Sequence, residues 1–472
     1  MSRTDQSVQR LYGAEADEAA QRSALTSGDV PVAVYGLGKM GLPLAAVYAS
    51  ITKNVTGVDI DESVVDAVQR GTSPVENEPG LETAIERSVE AGHLRASSDI
   101  DATADAASIH VLLVPTLLDD RDEPDLSTLV SLTRDVAMGL DPGDIVIVES
   151  TVPPGTCEDV LWPIVRRALP VDDVVGLAFC PERTMSGRAL QDIRESYPKI
   201  VGGIDAESTR VAELIYSEIT TNDVYAARDT RTAECVKVFE GLYRDVNIAL
   251  ANELATVASE LQVDVTEVIE LANTQPFCDL HTPGIGVGGH CIPVYPYFLL
   301  DSIDTSAPII RMARQINDSM PQLAIEQIES TLAEQDRSID GATIAVLGVT
   351  YRPGVDEIRN SPAFPIVREL DQRGANVHVV DPVCTQLDAF DGTPTALEDL
   401  AVLDLDAAVL VTAHDDFESI EWRSFDPMVI VDGRNALASE EIAHYVETIG
   451  DGRPESVGDS PDGHVGGDRG GR

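Results

Sequence analysis

Lysine is nearly absent from this chain: Lys39, Lys53, Lys199 and Lys237 are the only four in 472 residues. Basic residues of both kinds number 33 against 81 acidic ones, a formal net charge of −48. A field this negative excludes nucleic acid and anionic membrane as partners, because phosphate-rich surfaces are held by basic ones. The acidic excess is spread along the chain and not confined to a tail, so disorder does not account for it. A halophilic setting does: concentrated cations screen the repulsion while carboxylates keep the surface hydrated. An acidic protein of an ordinary cell is the weaker alternative.

Long apolar runs are missing as well. None approaches the ~20 residues that span a bilayer, and the opening MSRTDQSVQRLYG lacks the apolar stretch of a secretory signal. The expectation is a cytoplasmic protein. Cys157, Cys180, Cys235, Cys278, Cys291 and Cys384 show no CxxC spacing, which leaves neither a zinc pattern nor a disulfide framework. Most of them read as small buried hydrophobes. A hydrophobic share of 43% and a mean hydropathy of −0.02 describe a folded chain, long enough for two or three domains.

What is present is strand–helix alternation. VAVYGLG, VTGVDID (55–61), IHVLLVPT (109–116), DIVIVEST (144–151) and VVGLAFCPE (174–182) are short apolar runs separated by helix-length segments. That pattern predicts a doubly wound parallel sheet with its ligand at the carboxyl ends of the strands. From about 206 the periodicity becomes helical, notably in RTAECVKVFEGLYRDVNIALANELATVASEL. A Gly/Pro-rich loop over 274–299 and a helix near 308–335 follow. TIAVLGVTY, NVHVVDP, AAVLVTAH and VIVDGRN then form a second strand–helix series. The expected fold is α/β: two Rossmann-like doubly wound parallel-sheet domains joined by a central helical region. Its expected divisions are a flexible leader (1–30), a dinucleotide domain (31–205), a central helical region (206–335), a second α/β domain (336–447) and a disordered acidic tail (448–472).

Gly36, Gly38 and Gly41 form GxGxxG directly after a predicted strand. The glycines permit a tight turn and close approach of backbone to a pyrophosphate at a helix N-terminus. Asp59 ends the next strand, where a carboxylate accepts from ribose hydroxyls and repels a 2′-phosphate, so NAD is expected over NADP. The alternative is a structural turn that binds no dinucleotide. A second signal is PGIGVGGHCIP (283–293), a thiol behind a glycine-dense loop. Cys291 reads either as a nucleophile or as a buried structural cysteine.

These motifs, with GTSPVENEPGL (71–81), VPT (114–116), ESTVPPGT (149–156), PER (181–183), TAExxK (232–237), YRDVNIALANE (243–253) and VDEIRNSPA (355–363), resemble in order those of the UDP-glucose/UDP-N-acetylmannosamine dehydrogenase family of nucleotide-sugar 6-dehydrogenases. The resemblance implies a sugar CH2OH oxidised to a carboxylate in two NAD-dependent steps, with Cys291 attacking the intermediate aldehyde and the resulting thioester hydrolysed. It implies Lys237 as oxyanion stabiliser, Glu182 as the acid/base for the hydrolytic water and Thr151 as that water's positioner. Leu37, Lys39 and Met40 among the glycines, Pro115 and Thr116 of VPT, and Glu149 of EST complete the implied NAD contacts. Gly286 and Gly288 of the cysteine loop, and Arg244 and Asn247 of YRDVNIALANE, are the implied sugar contacts. Arg352, Arg359 and Arg434 are candidate partners for uridine diphosphate, with ordinary salt bridges as the alternative. A homodimer or larger homo-oligomer is implied too, and no metal.

YRDVNIALANE and PERTMSGRAL resemble the UDP-N-acetylhexosamine branch, especially UDP-N-acetyl-D-mannosamine dehydrogenases, with a UDP-glucose, UDP-GlcNAc or UDP-GalNAc enzyme as runner-up. The chain departs from many members at Gly241, where Asn is common, at Tyr295, where Asp is common, and around Phe277, where an arginine is common. Those departures keep a second class open, a nucleotide-sugar sensor with weak turnover. The charge reading has a direct check: circular dichroism is expected to show the fold lost in low salt and kept in molar KCl, and a fold indifferent to KCl would overturn it.

Overall fold

A computed structural model describes residues 8–171, 174–185, 187–437 and 444–453. The chain divides into two units, Met1–Glu240 with Tyr297–Asp304, and Gly241–Pro296 with Thr305–Arg472.

In the first unit, four-residue segments make the strands β1 Val32–Tyr35, β2 Val55–Val58, β3 Leu94–Ser97, β4 Ile109–Leu112, β5 Ile145–Val148 and β6 Gly176–Phe179. β7 Lys199–Gly203 and β8 Val224–Ala226 complete a sheet ordered β8-β7-β6-β5-β4-β1-β2-β3 among the described residues. β1, β4, β5 and β6 are buried at every position, as expected of parallel strands covered on both faces. One pairing departs from the expected all-parallel sheet: β6 and β7 run antiparallel. β3, β7 and β8 were not among the predicted strands, because LRAS, KIVGG and VYA carry too few consecutive apolar residues to stand out.

Aspartates start many of the helices. Asp17, Asp61, Asp99 and Asp205 each accept a backbone amide as N-cap, which places part of the acidic surplus where amides and the helix dipole favour it. Helix Ala206–Ile219 belongs to this unit and not to a separate central region, because Val211, Ala212, Ile215 and Ile219 enter its core. The expected loose leader is also corrected from Val8 onward. Leu11 and Leu25 are buried in the same core, Arg10 pairs with Asp141 (2.6 Å) and Asp144 (2.7 Å), and the Tyr12 hydroxyl donates to Asp205 (2.7 Å).

The second unit carries a parallel sheet of β9 Thr343–Leu347, β10 Asn376–Val380, β11 Thr393–Pro394, β12 Ala407–Leu410, β13 Val429–Asp432 and β14 Tyr445–Thr448, ordered β11-β10-β9-β12-β13-β14. Thr448, which ends β14, and the buried Ile449 fall where a disordered tail was expected to begin; the pairing of β14 to β13 orders them. Residues 454–472 of that expected tail lie outside the described residues. The helix Thr230–Thr256 starts in the first unit and ends in the second. No helix among the described residues is long and apolar enough to cross a membrane.

A buried polar chain fixes the helices of the second unit. Arg314, on helix Pro308–Glu334, donates to Asp245 (2.5 Å), and Asn317 donates to the same carboxylate (2.8 Å). Asn252 donates to Asn317 (2.9 Å) and accepts the amide of Gly284 (2.9 Å). Removing one partner of a buried ion pair strands the other, at about 3–5 kcal/mol. Arg314→Met is therefore expected to lower the unfolding free energy in denaturant titration by about that amount, and a change under ~1 kcal/mol would show the pair to be dispensable.

Candidate active site

In the first unit, β1 runs into Gly36, whose φ of +94° is the left-handed region open to glycine. A Cβ on Gly36 would collide with the Leu113 carbonyl, and one on Gly41 with the Gly36 carbonyl, so both positions require glycine. Gly38 faces open space. Helix Gly41–Thr52 begins without a side-chain cap; its Leu42 and Leu44 amides donate to the Gly38 (3.1 Å) and Met40 (3.2 Å) carbonyls, and Pro43 between them has no N–H. The Asp59 carboxylate already accepts from the Leu37 amide (2.7 Å) and the Asp61 amide (3.0 Å); a carboxylate retains lone pairs beyond these for ribose hydroxyls. Lys39 and Gly38 are exposed, and Met40 is half-buried with its sulfur accepting the Thr184 hydroxyl (3.1 Å).

Thr116 donates to the Thr151 carbonyl (2.5 Å), and Ser150, which the motifs did not single out, braces Val114 through both amide and carbonyl (2.8 Å each). Pro115 is exposed beside them. Glu149, expected at the cofactor, instead has its side chain buried against Lys199 (2.9 Å) and the Tyr216 hydroxyl, and burial raises its carboxyl. Its immediate neighbours are thus protein groups, since a buried carboxylate needs a cation or donor. A small cavity of about 30 Å³ is lined by Glu149, Lys199 and Tyr216 together with Glu182 and Thr184. Lys237 is 8% exposed, and its ammonium donates to the Glu182 carbonyl. The Glu182 side chain accepts the Thr184 amide.

In the second unit, the cysteine loop is clamped along segment 351–362. Gly289 donates to the Arg359 carbonyl (2.9 Å) and accepts from the Asn360 amide side chain (2.9 Å). Gly286 and Gly288, expected to admit substrate, make room for protein: a Cβ on Gly286 would lie 3.1 Å from Pro362, and one on Gly288 2.8 Å from Tyr351. Cys291 is half-buried, and none of the six cysteines forms a disulfide. His290 beside it was missed, although it adjoins the thiol in sequence. Its imidazole is raised, chiefly by a side-chain hydrogen bond to Cys291, and packs edge-on to Tyr351 (6.3 Å between centroids). An imidazole in that place favours the thiolate.

The expected substrate contacts divide. Arg434 donates to the Val411 carbonyl (2.6 Å) and has no ion-pair partner among the described residues; burial lowers its guanidinium to about 10. Arg359 is exposed and 3.8 Å from Glu357, and Arg352 lies 5.9 Å from the Tyr351 ring. Arg244 is exposed, while Asn247 spends its amide on the Tyr243 carbonyl (2.7 Å) in its own helix.

The first unit thus holds a glycine turn, a helix start without a side-chain cap and a strand-end acid, and the second a half-buried arginine with no ion-pair partner among the described residues. Residues 30–220 match the UDP-glucose/GDP-mannose dehydrogenase family NAD binding domain, 231–319 its central domain and 345–439 its UDP binding domain. The chain is 36% identical over 433 residues to a UDP-N-acetyl-D-mannosamine dehydrogenase of Pyrococcus horikoshii, covering 89% of this chain and 99% of the relative. The chain belongs to the UDP-glucose/GDP-mannose dehydrogenase family.

An NDP-N-acetyl-D-galactosaminuronic acid dehydrogenase of Ralstonia nicotianae is 34% identical, over 87% of this chain and 97% of that one. The solved structure of UDP-D-ManNAc dehydrogenase from Pyrococcus horikoshii superposes with a TM-score of 0.83 at 35% identity, covering 90% of this chain and all of that one. A UDP-glucose dehydrogenase from Pyrobaculum islandicum gives 0.81 at 26% identity, with 89% and 98% covered. This family member is an NAD-dependent dehydrogenase, and the glycine turn, the uncapped helix and Asp59 fit that cofactor.

Glu234 of TAExxK is a further residue the motifs passed over. It is buried and accepts the amides of Gly155 (2.5 Å) and Cys157 (2.8 Å), tying the end of ESTVPPGT in place. Burial raises its carboxyl from 4.5 to about 7. A raised carboxyl stabilises the fold in its protonated form, fully below pH 4.5 and lost as pH rises through about 7. The difference in unfolding free energy between wild type and Glu234→Gln is therefore expected to shift by ~3 kcal/mol across that window, and a pH-independent difference would refute the assignment.

Proposed function

We propose that the chain oxidises C6 of a UDP-N-acetylhexosamine, UDP-N-acetyl-D-mannosamine to UDP-N-acetyl-D-mannosaminuronate, with water and two NAD. The observation that carries this reading is the 36% identity spanning 99% of a relative of that name. Bound NAD supplies the hydride acceptor for both oxidations. Cys291 adds to the aldehyde carbon and holds the product as a thioester. Lys237, whose ammonium sits at the Glu182 carbonyl, neutralises the developing oxyanion. Glu182 handles the proton of the hydrolytic water that Thr151 positions.

Arg434 is assigned to the diphosphate, where a half-buried guanidinium with donors to spare is most useful; Arg352 and Arg359 join it from the neighbouring segment, and Arg244 and Asn247 are assigned to the sugar. Tyr243, Leu250 and Val257 are exposed at seven-residue spacing from one another, with Leu261 beyond. An apolar stripe of that kind supports a homodimer. The protein is assigned to the cytosol, where its thiols stay reduced.

A second reading follows from the Ralstonia relative: the galacto configuration at the sugar. NADH formation in molar KCl with UDP-ManNAc, UDP-GlcNAc, UDP-GalNAc and UDP-glucose separates them. Two NADH per UDP-ManNAc is the expected outcome, abolished by Cys291→Ala with nucleotide binding kept. Turnover of UDP-GalNAc or UDP-glucose instead would change the substrate and keep the chemistry. Silence with every sugar would favour the sensor.

A further inference from the structure

Glycine weakens the interior of a helix, yet Gly241 stands buried within the 27-residue helix Thr230–Thr256. A Cβ built on it would collide with Cδ2 of Tyr295, and would lie 3.1 Å from Cγ and 3.2 Å from Cβ of the same residue. The tyrosine ring therefore fills the space that a side chain at 241 would take. Tyr295 is 7% exposed, so the ring is held and not merely resting on a surface.

Tyr295 is also tied to the nucleophile. Its amide donates to the Cys291 carbonyl (3.0 Å), and the Val294 amide donates to the same oxygen (3.1 Å). On the other side of Cys291, backbone and Asn360 bonds fix Gly289 (2.9 Å each). The thiol-bearing turn is thus anchored before the cysteine by hydrogen bonds and after it by a ring wedged against a helix. A ring lodged against backbone has few alternative positions, because glycine leaves no side chain that can rotate away.

We propose that Tyr295 is a positioning residue for Cys291, and that Gly241 serves to admit its ring. The proposal rests on Cys291 being the nucleophile of the reaction above. Carbon–sulfur bond formation is required for the second oxidation and not for the first. Displacing the turn should therefore cut acid formation more deeply than aldehyde formation.

The test uses the full-length chain in molar KCl, with substrate turned over in the presence of hydroxylamine to trap released aldehyde. Gly241→Ala is expected to reduce acid formation by about 100-fold, the scale of a 1 Å misplacement, while NADH per sugar falls from two toward one and trapped aldehyde appears. Tyr295→Phe, which keeps the ring, is expected to retain two NADH per sugar. Tyr295→Ala, which relieves the crowding and so guards against a Gly241→Ala chain that fails to fold, should repeat the aldehyde release. The double variant Gly241→Ala/Tyr295→Ala should lose less than the two single losses combined, because they remove one contact.

Full acid formation by Gly241→Ala or Tyr295→Ala would overturn the proposal, as would strict additivity. Loss in Tyr295→Phe equal to that in Tyr295→Ala would also overturn it, by moving the role to the hydroxyl. Cys291→Ala separates the two levels of inference. If it still makes acid, the nucleophile reading falls; if it stops at aldehyde while the Gly241 and Tyr295 variants do not, only the positioning role falls.

Discussion

The buried pair of Asp245 and Arg314 is the constraint on which the second unit's cysteine loop depends. Arg314 and Asn317 saturate one face of the Asp245 carboxylate, Asn252 links to Asn317, and the other end of Asn252 holds the Gly284 amide. Gly284 begins the run that leads to Gly289 and Cys291. A chain of hydrogen bonds whose side-chain junctions all lie on two helices ties the loop at Gly284 to both of them. Much of YRDVNIALANE is therefore explained by support: Asp245 and Asn252 are buried scaffold, while Tyr243 and Arg244 at its start face outward. Helix periodicity shows which side of a helix is apolar, but not that its polar members are buried with partners more than sixty residues away.

Positive charge is scarce here, and the places where it is spent are informative. Arg10, Arg183, Lys199 and Arg314 neutralise carboxylates that would otherwise stand beside the folded core. A chain with so many acids has little reason to bury a cation unmatched. Arg434 is half-buried with no ion-pair partner among the described residues; it donates to the Val411 carbonyl, and a Cβ on Gly284 would lie 2.7 Å from its guanidinium. Its lowered basicity comes from burial, and an incoming diphosphate would reverse that cost by supplying the missing negative charge.

The two sheets were legible because parallel strands covered on both faces are written as unbroken β-branched runs. β7, β8 and β14 lack such runs and are strands only by virtue of their neighbours. The ordered leader was missed for a related reason: two buried leucines and three polar anchors hold it, far too few residues to give a period. At the sites, glycines and the strand-end acid were readable since their roles are local. Asp59 shows the limit. It accepts the Leu37 amide, and Asp381 accepts the Val349 amide in the same manner at the corresponding turn of the second unit (2.7 Å in each). A strand-end aspartate is thus a brace for the preceding turn before it is a ligand for anything. Glu149 shows the same limit: its strand-end position was readable, whereas its burial against Lys199 and Tyr216 was not.

Gly241 and Tyr295, taken singly, look like two losses from an active site, and two losses would favour a protein that only binds. Their geometry argues otherwise. A tyrosine entering beside an existing side chain at 241 would overfill the helix packing, and a glycine opposite a short residue at 295 would leave a hole; either change alone carries a cost. Together they restore contact, with the ring where the side chain would have been. A decaying site gathers substitutions without regard to one another, while a site under constraint gathers pairs whose shapes cancel. The thiol, the ammonium and the carboxylate that the proposed chemistry uses are all present at Cys291, Lys237 and Glu182, and the turn that carries the thiol is anchored on both sides. That arrangement suits a nucleophile whose position matters to within a fraction of an ångström; a sensor would have no use for it.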